Sequence, residues 1–451
     1  MTLVAIIFIA LFIVLIGYIC IDRLSILKKE SIVGKLSLGW GLGVGLIGLQ
    51  LFLYSILQIP WSRFSLLLPW IPFIIFFFIK RFRIPNFKMN HRFSNIERIL
   101  IIFLILLNLF VAFEAVLRPV QAWDGWDNWL LRPKVFYMNN DLSLDYVRYT
   151  HDDYPLIMPL MDTFGYIIIG GIDDKNILFF YFMFYLALGG LFFAASQKLF
   201  GTKLALLYTF LLLSLQNLIR HGGRFEAGPS DLALGYYIFT GALLLAYFFK
   251  TKNKFLSLLL SIFLGITAQI KNDGMAYFLI VNTIIVAVSI YWKKFSYILY
   301  LLPGFLLVGS WTLYKILNDY PSNFLFRNGL DIHYEKTFAI IGAMLKEMIN
   351  FQNWNLLWVI FATVLLLNWK NLGKAKLFLL LLLLQWLSYF AIFMITPREP
   401  VGHVQNVIDK LYLHLAPLAT FISALLITKH LEIINKIKQI KSSALYKWIM
   451  H

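Results

Sequence analysis

Thirteen times between residues 3 and 428 the chain settles into an apolar run of the kind a bilayer demands of a helix. The runs are 3–21, 36–57, 65–80, 98–117, 176–197, 204–219, 231–249, 255–270, 274–292, 296–315, 355–369, 377–395 and 410–428. Crossing hydrocarbon takes about 20 mainly apolar residues. Lipid offers backbone N–H and C=O groups no partner, so each crossing closes its own hydrogen bonds as a helix. A soluble core has no room for so many such segments: 60% of residues are apolar and 14% charged, against roughly 45–50% and about 25% in soluble domains. With the apolar stretch 155–171 also set aside, no polar interval exceeds roughly three dozen residues, too few for a globular extramembrane domain. The expected fold is an all-α integral membrane protein with about 13 transmembrane helices, plus juxtamembrane helices in the first large extracytoplasmic loop. One of these is 155–171, an apolar stretch that opens with Tyr154-Pro155 and carries Asp162 in its middle. A short juxtamembrane or re-entrant helix suits it better than a crossing.

With that assignment the loops sort by charge. One side holds 25 of the 40 basic residues and only Asp22, Glu30, Glu97 and Glu432 of the 23 acidic ones. Lys and Arg are retained on cytoplasmic loops, so the sequence predicts an outside N-terminus and a cytoplasmic, Lys-rich C-terminus in a plasma membrane. The net charge of +17 then reports topology. Nucleic acid is not an expected partner, because no basic patch on a folded domain carries aromatic stacking residues. Cys20 is the single cysteine and lies inside an apolar run, which excludes a disulfide framework and a thiolate metal site. Met1 to Cys20 lacks the basic start of a cleaved signal peptide and is expected to stay as a helix.

The outer side carries the chemistry-bearing residues. In Trp123-Asp124-Gly125-Trp126-Asp127-Asn128-Trp129 two carboxylates three residues apart share a face if the segment is helical. The Trp rings alone would fit an interfacial belt. Carboxylates walled by aromatics at a membrane edge are partly desolvated, which suits a general base. Arg132 and Lys134 follow in a short helix, either to bind an anionic headgroup or to snorkel toward lipid phosphates. In His151-Asp152-Asp153-Tyr154-Pro155 a solvated turn before a Pro-initiated helix is favoured over a metal site, since adjacent ligands point apart. Further along come Arg220, His221, Arg224 and Asp231, the tight turn Lys271-Asn272-Asp273-Gly274, and Arg398, His403, Asp409 and Lys410. Basic residues clustered on the outer side are candidate phosphate ligands. A juxtamembrane amphipathic helix is expected near 338–348, with Phe338, Ile341, Leu345 and Met348 on one face. Gly43-Val44-Gly45-Leu46-Ile47-Gly48 matches a dinucleotide fingerprint in letters only. It sits inside an apolar helix, where close packing through Gly41 and Gly45 explains it.

The series Trp123-Asp124-Gly125-Trp126…Trp129…Lys134, then His151-Asp152-Asp153-Tyr154-Pro155-Leu156…Pro159, Gly228-Pro229-Ser230-Asp231 and Ile270-Lys271-Asn272-Asp273-Gly274 resembles polytopic glycosyltransferases of the GT-C superfamily. The nearest branch is the bacterial one around the protein mannosyltransferases and the aminoarabinose and Rgt-type transferases. The resemblance covers roughly 98–428, with 1–97 as N-terminal transmembrane helices outside it and 429–451 as a basic tail. It implies a polyprenyl-phosphate-linked sugar as donor, a hydroxyl of a glycan, lipid or protein as acceptor, and transfer with inversion at the extracytoplasmic face. It implies Asp124 as the base, with Asp127 an alternative for the same position, and Asp153 as an orienting carboxylate. Lys271 matches a basic position before the tight turn; Arg224, Arg398, Lys410, Arg132 and Lys134 are the further phosphate candidates. Trp123, Trp126, Tyr154, His151 and Asp231 would frame the substrates. No cofactor is implied with certainty, and a divalent metal on the leaving phosphate stays open.

A transporter or flippase of lipid-linked sugars is the rival from another class. It predicts paired broken helices or inverted repeats, which the sequence lacks. A lipid-phosphate hydrolase, the third option, would turn over without an acceptor.

Overall fold

The computed structural model describes residues 2–81, 93–143, 153–318, 320 and 332–449, the side chains of 80, 81 and 431–449 excepted. Among the described residues every regular element is helical. Nine helices among the described residues are long and apolar enough to cross a membrane, and the chain is a multi-pass membrane protein.

Three of the thirteen apolar runs form shorter helices, around Arg63–Ile79, Lys254–Ala268 and Leu357–Asn368. At 1.5 Å per residue a 12- to 15-residue helix reaches only about 18–23 Å, short of a hydrocarbon core of about 30 Å. The runs 176–197 and 204–219 share the single element Phe179–Leu213, which is broken at Gly201 with φ 77° and ψ 171°. Tyr185 donates to the Leu213 carbonyl at 2.7 Å, and a side chain at Gly189 would meet Leu213. These pairs straddle Gly201, so the element is a hairpin of two antiparallel arms. Only glycine adopts that backbone conformation without strain.

Thr2–Arg23 and Ile32–Ile56 make a second hairpin whose helices touch backbone to backbone: a Cβ at Gly17 would strike Gly39, and one at Gly43 would strike Ile13. The glycine run of 39–48 is thus a packing surface, as small-residue stripes in membrane helices are. This hairpin joins the core through Tyr236, which donates to the Ser37 carbonyl at 2.6 Å, and Tyr237, which donates to that of Gly41 at 2.7 Å. Inside the bundle, hydroxyls satisfy themselves on the preceding turn, as Thr240 does on Tyr236 and Thr420 on Ala416, because no water is there to serve them.

Two ends of the bundle follow from the helix Asp231–Thr251. Its 21 residues span about 30 Å, which separates Asp231 from Lys250. At the Asp231 end lie the turn 269–273, the 118–143 segment and the start of Pro400–Ile449. At the other end lie Gly201 and residues 370–376. Ile157–Ile169 has 13 residues and does not traverse the bundle. It begins where Ile157 N–H donates to Gln269 and ends where Arg63 donates to the Ile167 carbonyl. Thr337–Met348 packs Ile340 and Met344 inward while Phe338 and Leu345 stand exposed.

Candidate functional site

The site grows from the first turn of Asp231–Thr251. Asp231 is buried at 1% exposure, and its carboxylate sits at a helix N-terminus, which favours negative charge. Lys271 Nζ donates to Asp231 Oδ1 at 2.6 Å and lies 3.5 Å from Asp273 Oδ2. Burial by itself would discharge Lys271. The Asp231 and Asp273 carboxylates overcome that penalty and hold its ammonium well above the usual lysine range. Asn272, beside it, donates to the buried Asp153 at 2.9 Å. The 271–273 turn therefore ties Asp231 to the first loop.

His414 Nε2 lies 3.1 Å from Asp231 Oδ1, and the Tyr389 hydroxyl lies 2.9 Å from His414 Nδ1. One tautomer satisfies all three groups: Tyr389 donates to Nδ1, and Nε2–H donates to Asp231. The close approach of the two helices has a local cause. Pro417 has no N–H for the Leu413 carbonyl, and a side chain at Gly235 would come within 3.2 Å of that carbonyl oxygen. Bare backbone at Gly235 lets His414 reach Asp231.

One turn before His414 on the same face, Lys410 forms an ion pair with Asp124. Asp124 is half exposed and opens the π-turn Gly125–Trp129, a rare conformation that marks functional sites more often than ordinary helix does. Gly125 rests on the 227–228 backbone, and a side chain at Gly228, where φ is +121°, would lie 3.2 Å from Gly125 Cα. Two sequence motifs far apart in the chain are thus in contact, backbone to backbone. The rings of Trp123 and Trp126, edge to face at 4.4 Å, stand exposed beside Asp124.

A third group completes the cluster. Arg220 forms an ion pair with Glu226 and donates to Asn353 at 2.8 Å, and His221 Nε2 lies 2.8 Å from Glu226. Burial would raise the Glu226 carboxyl, but His221, Arg220 and Lys410 draw it down to about 2. Lys410 feels both Asp231 and Asp124. The groups from Asp124 through Lys410, Glu226, His414, Asp231 and Lys271 to Asp153 form one electrostatic unit.

Against the sequence expectations, Asp124, Asp153, Asp231, Lys271 and Lys410 come together. Asp127 is half-buried, and no described residue hydrogen-bonds or ion-pairs with it. Tyr154 packs on Trp129 at 5.5 Å, and burial keeps its hydroxyl protonated far above the usual range. Arg132 is buried and donates to the carbonyls of Tyr154 and Pro155 at 2.9 and 3.4 Å, so it buckles the 153–156 turn. Lys134 pairs with Asp174 at 2.5 Å. Arg224 pairs with Glu114 at 3.1 Å and lies over Phe225 and Phe110, away from Lys271. Arg398 is exposed in the turn before Pro400, with about 15 Å of helix between Pro400 and Lys410. His151 lies outside the described residues.

Three members of the cluster escaped the sequence reading: His414, Tyr389 and Glu226. His414 had a signal, since it follows Lys410 at the i+4 spacing that places two side chains on one helix face. Arg220 was noted in the sequence but passed over for Arg224. Among the described residues no group of three His, Cys, Asp or Glu side chains is assembled as a metal site. The chain matches no family model, no characterised protein and no solved structure at a significant level.

Proposed function

We propose that this protein is an inverting glycosyltransferase that moves a sugar from a polyprenyl-phosphate donor to a hydroxyl acceptor at the membrane surface. The observation that carries the reading is a half-exposed carboxylate, Asp124, held on Lys410, which shares the field of buried Asp231 with a second cation, Lys271. Displacement of a phosphate from a sugar needs a base on one side of the anomeric carbon and cationic stabilisation of the leaving group on the other. A polyprenyl donor stays in the bilayer, so the chemistry belongs at its edge, where this cluster lies.

In this mechanism the acceptor hydroxyl gives its proton to Asp124 as its oxygen bonds to the anomeric carbon. The bond from that carbon to the phosphate oxygen breaks, and the electron pair leaves with the polyprenyl phosphate. The ion pair with Lys410 orients Asp124 before substrate enters. An incoming phosphate then offers Lys410 a second anion and frees the carboxylate to act as base. Arg220, Lys271 and Lys410 are the cations near enough to share the leaving charge. His414 and Tyr389 touch neither reactant and position Asp231, which in turn positions Lys271.

The charge asymmetry of the loops supports a bacterial plasma membrane with the cluster outside and the C-terminus in the cytoplasm, and a role in building cell-envelope glycans. Thirteen crossings would need the shorter apolar helices to bridge a locally thinned bilayer. The test is release of polyprenyl phosphate from a lipid-linked sugar by purified full-length protein. A transferase releases it only with acceptor present, and a hydrolase does so without acceptor. A flippase moves the lipid across vesicles without breaking it, and that result would replace the proposal.

A further inference from the structure

A hollow of the bundle lies away from the carboxylate cluster. A cavity of about 720 Å³ lies at the opposite end, within the range of roughly 300–1,000 Å³ typical of small-molecule sites. Its walls come from the first arm of the Gly201 hairpin, the lower half of Asp231–Thr251, the start of Ala375–Met394 and the Phe421 region, and they are almost wholly apolar. Its polar lining is confined to Thr240, Tyr247 and a rim of charge: Glu30 and lysines 198, 250, 374 and 376. Glu30 is already engaged by Lys198. Lys250, Lys374 and Lys376 have no carboxylate partner among the described residues. A second, smaller hollow of about 240 Å³ abuts the first, sharing Leu199, Gly373, Lys374 and Leu425.

The geometry points to a binding site for one anionic phospholipid, with acyl chain in the larger hollow and the phosphate among Lys250, Lys374 and Lys376. Two features select this occupant. Apolar walls in a bilayer call for hydrocarbon, because they gain nothing by opening to water. Three unmatched ammonium groups at the mouth favour a net negative headgroup over a zwitterionic one. Basic pockets between membrane helices recognise acidic lipids in this way. The site is separated from Asp231 by the length of a helix and does not depend on the transferase reading.

The experiment is native mass spectrometry of the full-length protein titrated with phosphatidylglycerol, phosphatidylcholine or inorganic phosphate. One phosphatidylglycerol per protein is expected at a concentration at least tenfold lower than for phosphatidylcholine, and millimolar phosphate should not displace it. The triple substitution Lys250→Gln, Lys374→Gln, Lys376→Gln should abolish the tenfold preference while leaving weak binding of both lipids. Ala195→Trp, which fills the larger hollow, should weaken both. Equal binding of the two lipids, or a preference that survives the triple substitution, overturns the proposal. Displacement by phosphate alone would overturn the role of the acyl chains. The three lysines are exposed, so the preference test stands even if Ala195→Trp fails to fold.

Discussion

At the Asp231 end of the bundle the cations are matched by carboxylates: Lys271 by Asp231 and Asp273, Lys410 by Asp124, Arg220 by Glu226. At the Gly201 end, Lys250, Lys374 and Lys376 stand over an apolar hollow whose one lining carboxylate, Glu30, is taken by Lys198. The difference follows from depth. Lys271 and Asp231 are shut off from water, where an uncompensated charge is expensive, so their neutralisation is built into the chain. The lysines of the other end are exposed, where an anion from outside the chain can reach them. A matched cluster is rigid and already oriented, the condition for stabilising charge that develops during a reaction. An unmatched ring selects what comes to it.

The largest effect that would break this comparison is at Asp124. Asp124→Asn keeps the shape and removes the base, and it should lower polyprenyl-phosphate release by about 10²–10⁴-fold, the usual worth of general-base catalysis. Asp127→Asn should change the rate only a few-fold, because Asp127 is not joined to the cluster. Protein yield and thermal unfolding in detergent should be unaltered in both. A dead Asp127→Asn beside an active Asp124→Asn would reverse the assignment.

A contrast in stability comes next. Lys271→Met leaves Asp231 and Asp273 without their shared cation, and breaking a buried pair from one side costs about 3–5 kcal/mol. Lys250→Met removes an exposed charge at the other end and should stay within about 0.5 kcal/mol. Unfolding midpoints of the two variants in one detergent measure the difference directly. Equal midpoints would mean that Lys271 is not buried among its partners as described.

Acid gives a smaller and more specific signal. The Glu226 carboxyl, ordinarily near 4.5, is held at about 2 by His221, Arg220 and Lys410. A folded value below the unfolded one means that the carboxylate stabilises the fold above about pH 4.5, and that this contribution is lost as pH falls toward 2. A shift of that size corresponds to at most about 3.4 kcal/mol. Glu226→Gln should therefore lower stability at neutral pH and flatten the acid limb of the unfolding curve between those two values. An unchanged acid limb would remove Glu226 from the electrostatic unit.

How much of this was legible in the sequence depends on the range of the interaction. The apolar runs gave the helices because each crossing satisfies its own backbone, so length and composition are local evidence. The same logic separated the two arms of the Gly201 hairpin as the runs 176–197 and 204–219. Hydropathy cannot register that Tyr185 and Leu213 face each other across a single glycine. The motifs around Asp124, Asp153, Asp231 and Lys271 were visible because they are short and charged. That Gly125 rests on the backbone beside Gly228 was not, since contact between residues about a hundred positions apart leaves no local pattern. For Arg132 and Lys134 the sequence is silent on partners. The carbonyls of 154–155 and Asp174 are brought to them by the fold. Glu114 reaches Arg224 in the same way, and His414 was hidden inside an apolar run.

Two glycines with left-handed φ values sharpen the comparison at the smallest scale, one at each end. Gly201→Ala and Gly228→Ala should each cost about 1–2 kcal/mol for the backbone alone. Beyond that they differ. No atom lies within 4 Å of a Cβ at Gly201, so that variant should lose a little stability and keep full transferase rate. A Cβ at Gly228 would lie 3.2 Å from Gly125 Cα, which is tight enough that one backbone has to move by a few tenths of an ångström. The π-turn that carries Asp124 is the part free to yield, since Asp124 is half exposed. A displaced base loses rate out of proportion to stability. Gly228→Ala should therefore lower turnover by roughly tenfold or more at the same unfolding midpoint as Gly201→Ala. If the two variants lose rate equally, the packing of Gly125 on the 227–228 backbone is not what holds Asp124 in place.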